Sequence, residues 1–380
     1  MAIVLKSAKL DIYIWRGSQE GKGTPKYTLT KTKLSSETTI TFEIAELVKD
    51  YIDIVFTGDY SEIEQTSWVQ TELTRTFEDD TDQSTVDDAT PLTRKYIAFR
   101  GYGELYDVNS KTLTNTNPDL LTEPLISNRN IYHLKGEPLY VPFYRGEEGV
   151  FKVEYKKDNS VVVTNKYGGN VLKITTDSTS IRTDNITTYD TSTTAIRSDG
   201  SGGFTSKDVV VDVINEIVFT RKDGTTGTIV VKEIEECKYL PYKVSFMNKF
   251  GAIQDLWFFK RSDKGMSVER EEYRKSTLNH LSTGTNFNTY DTPSRLLSST
   301  AKKNITMNTG FVTEDHNEVI KQLLNTEYCW IHESNDSGII KPTPVKPTSL
   351  DFNEKLEVNE KLINFTLQFE YTHNIIQDIR

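Results

Sequence analysis

The chain has 380 residues and a net charge of −10, with a pI near 5.2. Its length suggests two or three domains rather than one core, and its acidity argues against a protein built to grip nucleic-acid phosphates. Only 36% of the residues are hydrophobic and 11% are aromatic, so an aromatic, β-prone core of modest size carries a large polar surface.

No apolar run approaches the ~18 residues needed to span a membrane, and no membrane segment is expected. The opening MAIVLKSAKL has too short an apolar run for a signal peptide, and no small-residue cleavage site follows. Cys237 and Cys329 form no CxxC and no metal spacing; they read as reduced, partly buried thiols.

The first element is AKLDIYIWRG. Leu10, Ile12 and Ile14 alternate with Asp11, Tyr13 and Trp15, the period of a strand. Gly17, Gly21, Gly23 and Pro25 mark a turn. KYTLTKTKL and TTITFEIAEL read as further strands, and AELVKDYI as one or two helical turns with Ala45, Val48 and Ile52 on one face. SWVQTELTRTF alternates again. The acidic stretch 78–90 brings Asp80, Asp82, Asp87 and Asp88 close in sequence. It lacks the glycine and the terminal glutamate of a calcium loop, so a solvated loop is expected.

RKYIAFRGYGELYD reads as a strand running into a glycine turn. Gly101 and Gly103 have no third glycine and Leu105 opens no helix, so no dinucleotide site is expected. IYHLKGEPLYVPFYRGEEGVFKVEY gives three short strands. Pro138 and Pro142 confine the middle one to an edge or a strand start, and His133 reads as structural or surface-lying. From about 156 to 205 the chain turns Thr/Ser/Asp-rich, with Ile174, Ile181, Ile186 and Ile196 irregularly spaced. This reads as a thin β-domain with long loops or a surface insertion. Two strands, about 213–221 and 227–234, then meet through Asp223-Gly224 as a hairpin.

In the last third, YKVSF, MNKFG and AIQDLWFF read as strand, turn and strand. Leu256 and Phe258 fall on one face and Trp257 and Phe259 on the other, so both faces need a cover, either internal or from a neighbouring subunit. Residues 264–299 are polar and mixed, with VEREEYRK read as a charged surface segment. A helix is expected over about 314–326. Thr313 would be its N-cap, Glu314 and Asp315 fill its first turn, and Val319, Ile320, Leu323 and Leu324 form one apolar stripe. YCWIH begins a strand. Pro342, Pro344 and Pro347 make IIKPTPVKPTSLDF an extended connector or edge. EKLINFTLQFEYTH alternates cleanly. Ile363, Phe365, Leu367, Phe369 and Tyr371 form a buried face, and Leu362, Asn364, Thr366, Gln368 and Glu370 a wet one.

Catalytic motifs are missing: there is no G-x-S-x-G, H-E-x-x-H, P-loop or paired Cys/His set. His133, His280, His316, His332 and His373 are scattered, and His316 reads as a first-turn residue on a solvated helix end. No catalytic, cofactor-binding or metal-ligating residues are assigned, no cofactor is expected, and the chain reads as a non-enzyme. Two roles remain. One is a building block of a larger assembly. The other is a surface- or carbohydrate-binding adhesin or receptor-binding protein, which would need exposed aromatics. Trp15, Trp68, Trp257 and Trp330 lie in strand-like apolar patterns and read mostly as core.

The runs YKVSFMNKFGAIQDLWFFKRSDKG, NTGFVTEDHNEVIKQLLNTEYCWIH and KPTSLDFNEKLEVNEKLINFTLQFEYTHNI resemble virion proteins of tailed bacteriophages. The similarity is to tail, neck or ring components of phages infecting Bacteroidetes. AKLDIYIWRG…TFEIAELVKDYI looks like the opening of such a protein, so the resemblance covers roughly 1–145 and 237–380. It implies a mainly β fold of two or three β-sandwich-like domains, with one amphipathic helix packed on a sheet in the C-terminal domain. The expected division is an N-terminal domain over 1–145, a Thr/Ser/Asp-rich β domain or insertion over 146–236, and a C-terminal domain over 237–380. It further implies a homo-oligomeric ring or stacked assembly in a virion put together in the host cytoplasm. The partners would be other virion proteins. An acidic ring would also let DNA pass through a channel without gripping it.

Overall fold

A computed structural model of the chain describes residues 3–16, 21–52, 54, 56–58, 62–64, 66–79, 84–88, 90–102, 124–135, 137, 139–144, 152–157, 160–166, 180–186, 215–220, 223–334, 340–349, 362–373 and 375–376. The fold is mainly β, with short helices. The chain divides into two compact units. Unit 1 is Met1–Glu235 with Met247–Asp255, and unit 2 is Glu236–Phe246 with Leu256–Arg380.

Unit 1 opens with β1 (Ile3–Trp15), β2 (Tyr27–Thr32), helix α1 (Ala45–Lys49), β3 (Glu62–Glu64), β4 (Thr66–Asp79), β5 (Thr85–Asp87) and β6 (Leu92–Phe99). One sheet runs β2-β1-β4-β5, with β6 also on β4. The period-2 pattern of β1 buries Leu10, Ile12 and Ile14 against Val69 of β4 and Val48 and Ile52 around α1. TTITFEIAEL is not a strand: residues 39–44 carry no ladder, and α1 begins at Ala45. Phe42 and Ile44 still pack on this core, so their alternation records burial of an extended segment rather than pairing.

On the other face of the sheet, Glu72 binds Lys22 and accepts hydrogen bonds from Tyr13 Oη (2.9 Å) and Gln70 Nε2 (2.9 Å). The Lys22 bond is the main reason Glu72 ionises below the usual carboxylate range. Partial burial opposes it, and Tyr13 and Gln70 add to it. A lowered carboxyl pKa contributes stability that is present above the unfolded value and lost as pH falls through the folded one. Glu72→Gln should therefore lower the unfolding temperature at neutral pH, with the difference from wild type vanishing in acid. Calorimetry across that range is the measurement.

The rest of unit 1 holds β7 (Asn130–Leu134), β8 (Leu139–Tyr144), β9 (Lys152–Lys157), β10 (Ser160–Lys166), β11 (Ser180–Ile186), β12 (Glu216–Thr220) and β13 (Thr226–Ile234). One sheet runs β10-β9-β12-β13-β7 and another β3-β11-β8. β12 and β13 form the hairpin expected at Asp223-Gly224, where Asp223 Oδ1 accepts from Thr225 N at 2.8 Å. Val153, Ile217, Phe219, Ile229 and Val231 form their core, with Ile126, Leu139 and Val141. Pro142 lies on β8, which ends its strand order. Of the 156–205 region, Ile174 and Ile196 lie outside the described residues; Ile181 and Ile186 are on β11.

The remaining strands are β14 (Tyr242–Met247), β15 (Ile253–Phe258), β16 (Asp263–Arg274), β17 (Leu278–Leu281), β18 (Gly284–Phe287), β19 (Ser294–Asn308), β20 (Cys329–Ser334), β21 (Ile340–Pro347), β22 (Thr366–Tyr371) and β23 (Ile375–Ile376). Their main sheet runs β15-β14-β20-β21-β22-β19-β16, with β23 on β19, and β17 pairs with β18. Ile363, Phe365, Leu367, Phe369 and Tyr371 are buried, as their alternation requires.

The proline-rich segment is extended but is not an edge, because β21 lies between β20 and β22. Register explains how prolines fit there. β21 pairs with β20 over 340–344 and with β22 only over 345–347. Pro344 O accepts from Thr372 N at 3.2 Å, so residue 344 directs its backbone polar groups away from β20. Pro342 shares that parity. The missing N–H groups of Pro342 and Pro344 thus fall on the β22 side before its 345–347 ladder begins, and Pro347, of the opposite parity, turns its nitrogen to the β20 side, where that ladder has ended.

Helix α2 (His316–Leu324) is shorter than the expected 314–326. Its N-cap is Asp315, without a side-chain cap, rather than Thr313. Residues 313–317 instead form turns through His316 N to Thr313 O and Asn317 N to Glu314 O. Val319, Ile320 and Leu323 are buried, and so are His316, Asn317 and Gln322.

Candidate interaction surface

Several of the residues singled out in the sequence are engaged structurally. Asp80 and Asp82 lie outside the described residues. Asp88 takes a two-pronged ion pair from Arg75 (2.8 and 3.2 Å), and Asp87 accepts from Thr76 Oγ1 at 2.6 Å. Gly103 and Leu105 also lie outside the described residues. A side chain at Gly101 would meet the Lys249 carbonyl oxygen at 2.0 Å, so this glycine serves close backbone approach. His133 is buried, with Nε2 2.6 Å from Glu137 O. His316 is buried too, not solvated, and sits beside Asp315. The side chain of His280 lies outside the described residues, and His373 is exposed.

Ser245 Oγ and His332 Nε2 are 2.7 Å apart, but Ser245 is fully enclosed and presents no surface to a substrate. Cys329 is buried, and burial pushes its thiol pKa well up; Cys237 is exposed, not partly buried. Trp68, Trp257 and Trp330 are buried, and Trp15 is half-buried beneath Lys95 at 5.6 Å. Among the described residues no group of three or more His, Cys, Asp or Glu is placed to hold a metal ion.

The feature that stands apart is an arm in unit 2. β16 pairs antiparallel with β19 from Asp263↔Thr306 to Arg274↔Ser294, and the β17–β18 hairpin lies between them in the chain. All twelve residues of β16 are exposed. At the usual rise per residue the strand is ~40 Å long. β19 changes character along its length: Met307, Ile305 and Ala301 are buried, whereas residues 295–298 are exposed. β22 pairs with β19 only at 304–308 and β23 only at 300–301. Beyond those positions the arm is, among the described residues, a two-stranded ribbon.

Cross-strand register fixes what its faces show. Lys264 opposes buried Ile305 and Val268 opposes buried Ala301, so Lys264, Met266 and Val268 continue the face that is core further in. Met266 and Val268 are nevertheless exposed, as are Tyr273, Leu278, Tyr290, Leu296 and Leu297. Tyr290 is 82% exposed and Leu297 68%, values that a side chain with a permanent partner in its own chain does not have. The bulge at Glu271/Glu272 places the extra residue, Leu297, in β19, which leaves β16 regular. At the base, Lys264 Nζ meets Glu333 Oε1 at 2.7 Å and Tyr371 Oη donates to the same oxygen at 2.8 Å. Burial lowers the Lys264 pKa, but the bond and charge of Glu333 outweigh it and leave it raised. Burial first, then Glu333, pushes Tyr371 well up. These bonds tie the arm's base to the sheet.

An isolated two-stranded ribbon is marginal in water, and a long edge strand offers unpaired backbone groups to another chain. Among the described residues the outer edge of β16 has no partner strand. Sequence reasoning missed the arm, taking 264–299 as mixed surface.

Compared with protein-family models, curated proteins and solved structures, the chain matches none of them. No helix of the described residues is long and apolar enough to cross a membrane.

Proposed function

We propose that this chain is a non-enzymatic structural subunit of a tailed-phage virion. It would be a tail, neck or baseplate component that builds a ring or tube through homo-oligomerisation and contacts with other virion proteins. The observation that carries the reading is the β16–β19 arm, with its exposed faces and an outer edge that has no partner strand among the described residues. Such an arm offers backbone groups that can pair with a strand of another chain. The resemblance of 1–145 and 237–380 to phage virion proteins supplies the context. In this reading the units are β-sandwich-like, and α2 acts as an amphipathic helix covering one sheet face of the C-terminal domain. The net charge of −10 suits an assembly through which DNA slides without being held.

Mass photometry of the full chain is expected to show discrete multi-subunit species, and the chain should co-purify with phage particles. A persistent monomer that binds glycans on an array would overturn the reading in favour of an adhesin.

A further inference from the structure

We propose that the arm docks on a second copy of this chain, with the outer edge of β16 pairing with its own counterpart across a two-fold axis through Val268. This rests on the assembly reading and deepens it by naming one contact. Among the described residues β16 pairs only with β19 and ends the strand order of its sheet. Its own ladder is regular, because the bulge residue belongs to β19. An edge of this kind accepts one more antiparallel strand.

Symmetry limits how two copies combine. In a two-fold contact the same patch serves both partners. Two identical antiparallel strands are related by an axis perpendicular to the sheet. Opposed side chains share a face, so the axis must pass through a residue position, and residues equally distant from it oppose each other. Centring on Glu269, Arg270, Glu271 or Glu272 sets that charge against its own copy. Centring on Ser267 opposes Lys264 to Arg270 and Asp263 to Glu271, and centring on Met266 opposes Asp263 to Glu269.

Centring on Val268 avoids every such conflict. Val268 meets Val268, Met266 meets Arg270, and Lys264 meets Glu272 on one face. Ser267 meets Glu269, Gly265 meets Glu271, and Asp263 meets Tyr273 on the other. This register pairs 263–273, nearly the whole of β16. It places the exposed Met266 and Val268 at the centre, where the second arm covers them, and flanks them with two Lys–Glu pairs. Like charges directly opposed destabilise a ladder and opposite ones support it; centres at Gly265 and Tyr273 also escape like charges but pair only 263–267 and 272–274 of the strand, so charge and paired length together select the register. A two-fold contact closes on itself, and it suits rings or layers stacked face to face.

The test uses the full chain with Cys237→Ser, since Cys329 is enclosed, and adds one cysteine to the arm. With Val268→Cys the two sulfurs lie across one cross-strand pair, their Cβ atoms about 5 Å apart, and a short bis-maleimide should trap a covalent dimer. With Tyr273→Cys the two sites are separated by ten strand positions, about 33 Å, and the same reagent should trap none. Glu272→Lys in the Val268→Cys background should cut the trapped fraction about fivefold by inverting two cross-strand charge pairs. Absence of a Val268→Cys dimer, or an equal yield from Tyr273→Cys, overturns the proposal. Multi-subunit species without the Val268 cross-link leave the assembly reading standing and remove this contact. A specific Val268 cross-link in a chain that never enters particles keeps the contact and removes the virion reading.

Discussion

Trp257→Ala is expected to destabilise unit 2 by about 3–5 kcal/mol, the cost of emptying a buried indole site. The run LWFF places Leu256 and Phe258 on one face and Trp257 and Phe259 on the other, and in sequence the cover of the second face could be internal or a partner. All four are buried, with exposures of 6%, 7%, 0% and 3% in chain order, so the chain covers both faces itself. Phe258 meets Phe369 edge-on at 5.8 Å, and Trp257 stacks on Phe259 at 6.3 Å and 21°. Removing the indole takes away one ring of a stacked pair and leaves a void that the remaining ring cannot fill. Against a total of about 5–15 kcal/mol for a typical domain, that is a large fraction. Urea unfolding followed by circular dichroism should show the loss as an earlier midpoint. Tyr290→Ala, at an exposed site, should stay within about 0.5 kcal/mol of wild type. An unchanged midpoint for Trp257→Ala with lost assembly would mean that a partner, not the chain, supplies the cover.

What could be read from the sequence depended on whether a strand has one wet and one dry face. β1 and the 362–371 segment do, and their alternation gave both the element and the buried set. The segment around Phe42 and Ile44 shows the limit of that signal: it alternates because one side is buried, yet among the described residues it joins no strand ladder. β21 fails in the opposite direction, since its prolines argue for an edge while staggered pairing lets them sit inside a sheet. The arm was illegible for the most direct physical reason. β16 is wet on both faces, so DKGMSVEREEYR has no period for burial to impose, and its charges look like any solvated surface. The strand exists because β19, anchored by Ile305 and Met307, offers it a ladder. That is a tertiary cause with little local trace, and Val268 and Tyr273 among the charges are the only β-formers that hint at it.

Asn248→Ala is expected to cost about 3–5 kcal/mol, because the side chain answers for several buried polar groups at once. Asn248 is fully buried within unit 1. Its Oδ1 accepts from Phe250 N at 3.0 Å and Ala252 N at 3.1 Å, which shapes the NKFG turn. Its Nδ2 donates to Leu125 O at 2.6 Å and Gln254 Oε1 at 3.1 Å, and Gln254 passes the chain on to Asn128 at 3.0 Å. Around it the backbones are close. Gly251 holds φ +76°, and a side chain there would come within 2.9 Å of the Arg100 carbonyl, while Tyr102 N bonds Lys249 O at 2.9 Å. Alanine strands two donors, Phe250 N and Ala252 N, and two acceptors, Leu125 O and Gln254 Oε1. Hydrogen exchange should show the amides of Phe250 and Ala252 opening far faster, with an earlier thermal transition. Asn248→Asp separates the two halves of the network. It keeps the acceptor but turns the donor into an oxygen facing Leu125 O and Gln254 Oε1. Burial and those oxygens disfavour the charged form, so the new carboxyl titrates above its unfolded value. A raised acid pKa means the neutral form stabilises the fold at low pH and the stability drains away as pH rises through the folded value. Asn248→Asp should therefore approach wild-type stability in mild acid and fall towards the alanine variant at neutral pH; wild-type stability of Asn248→Asp at every pH would show that the donor half contributes nothing.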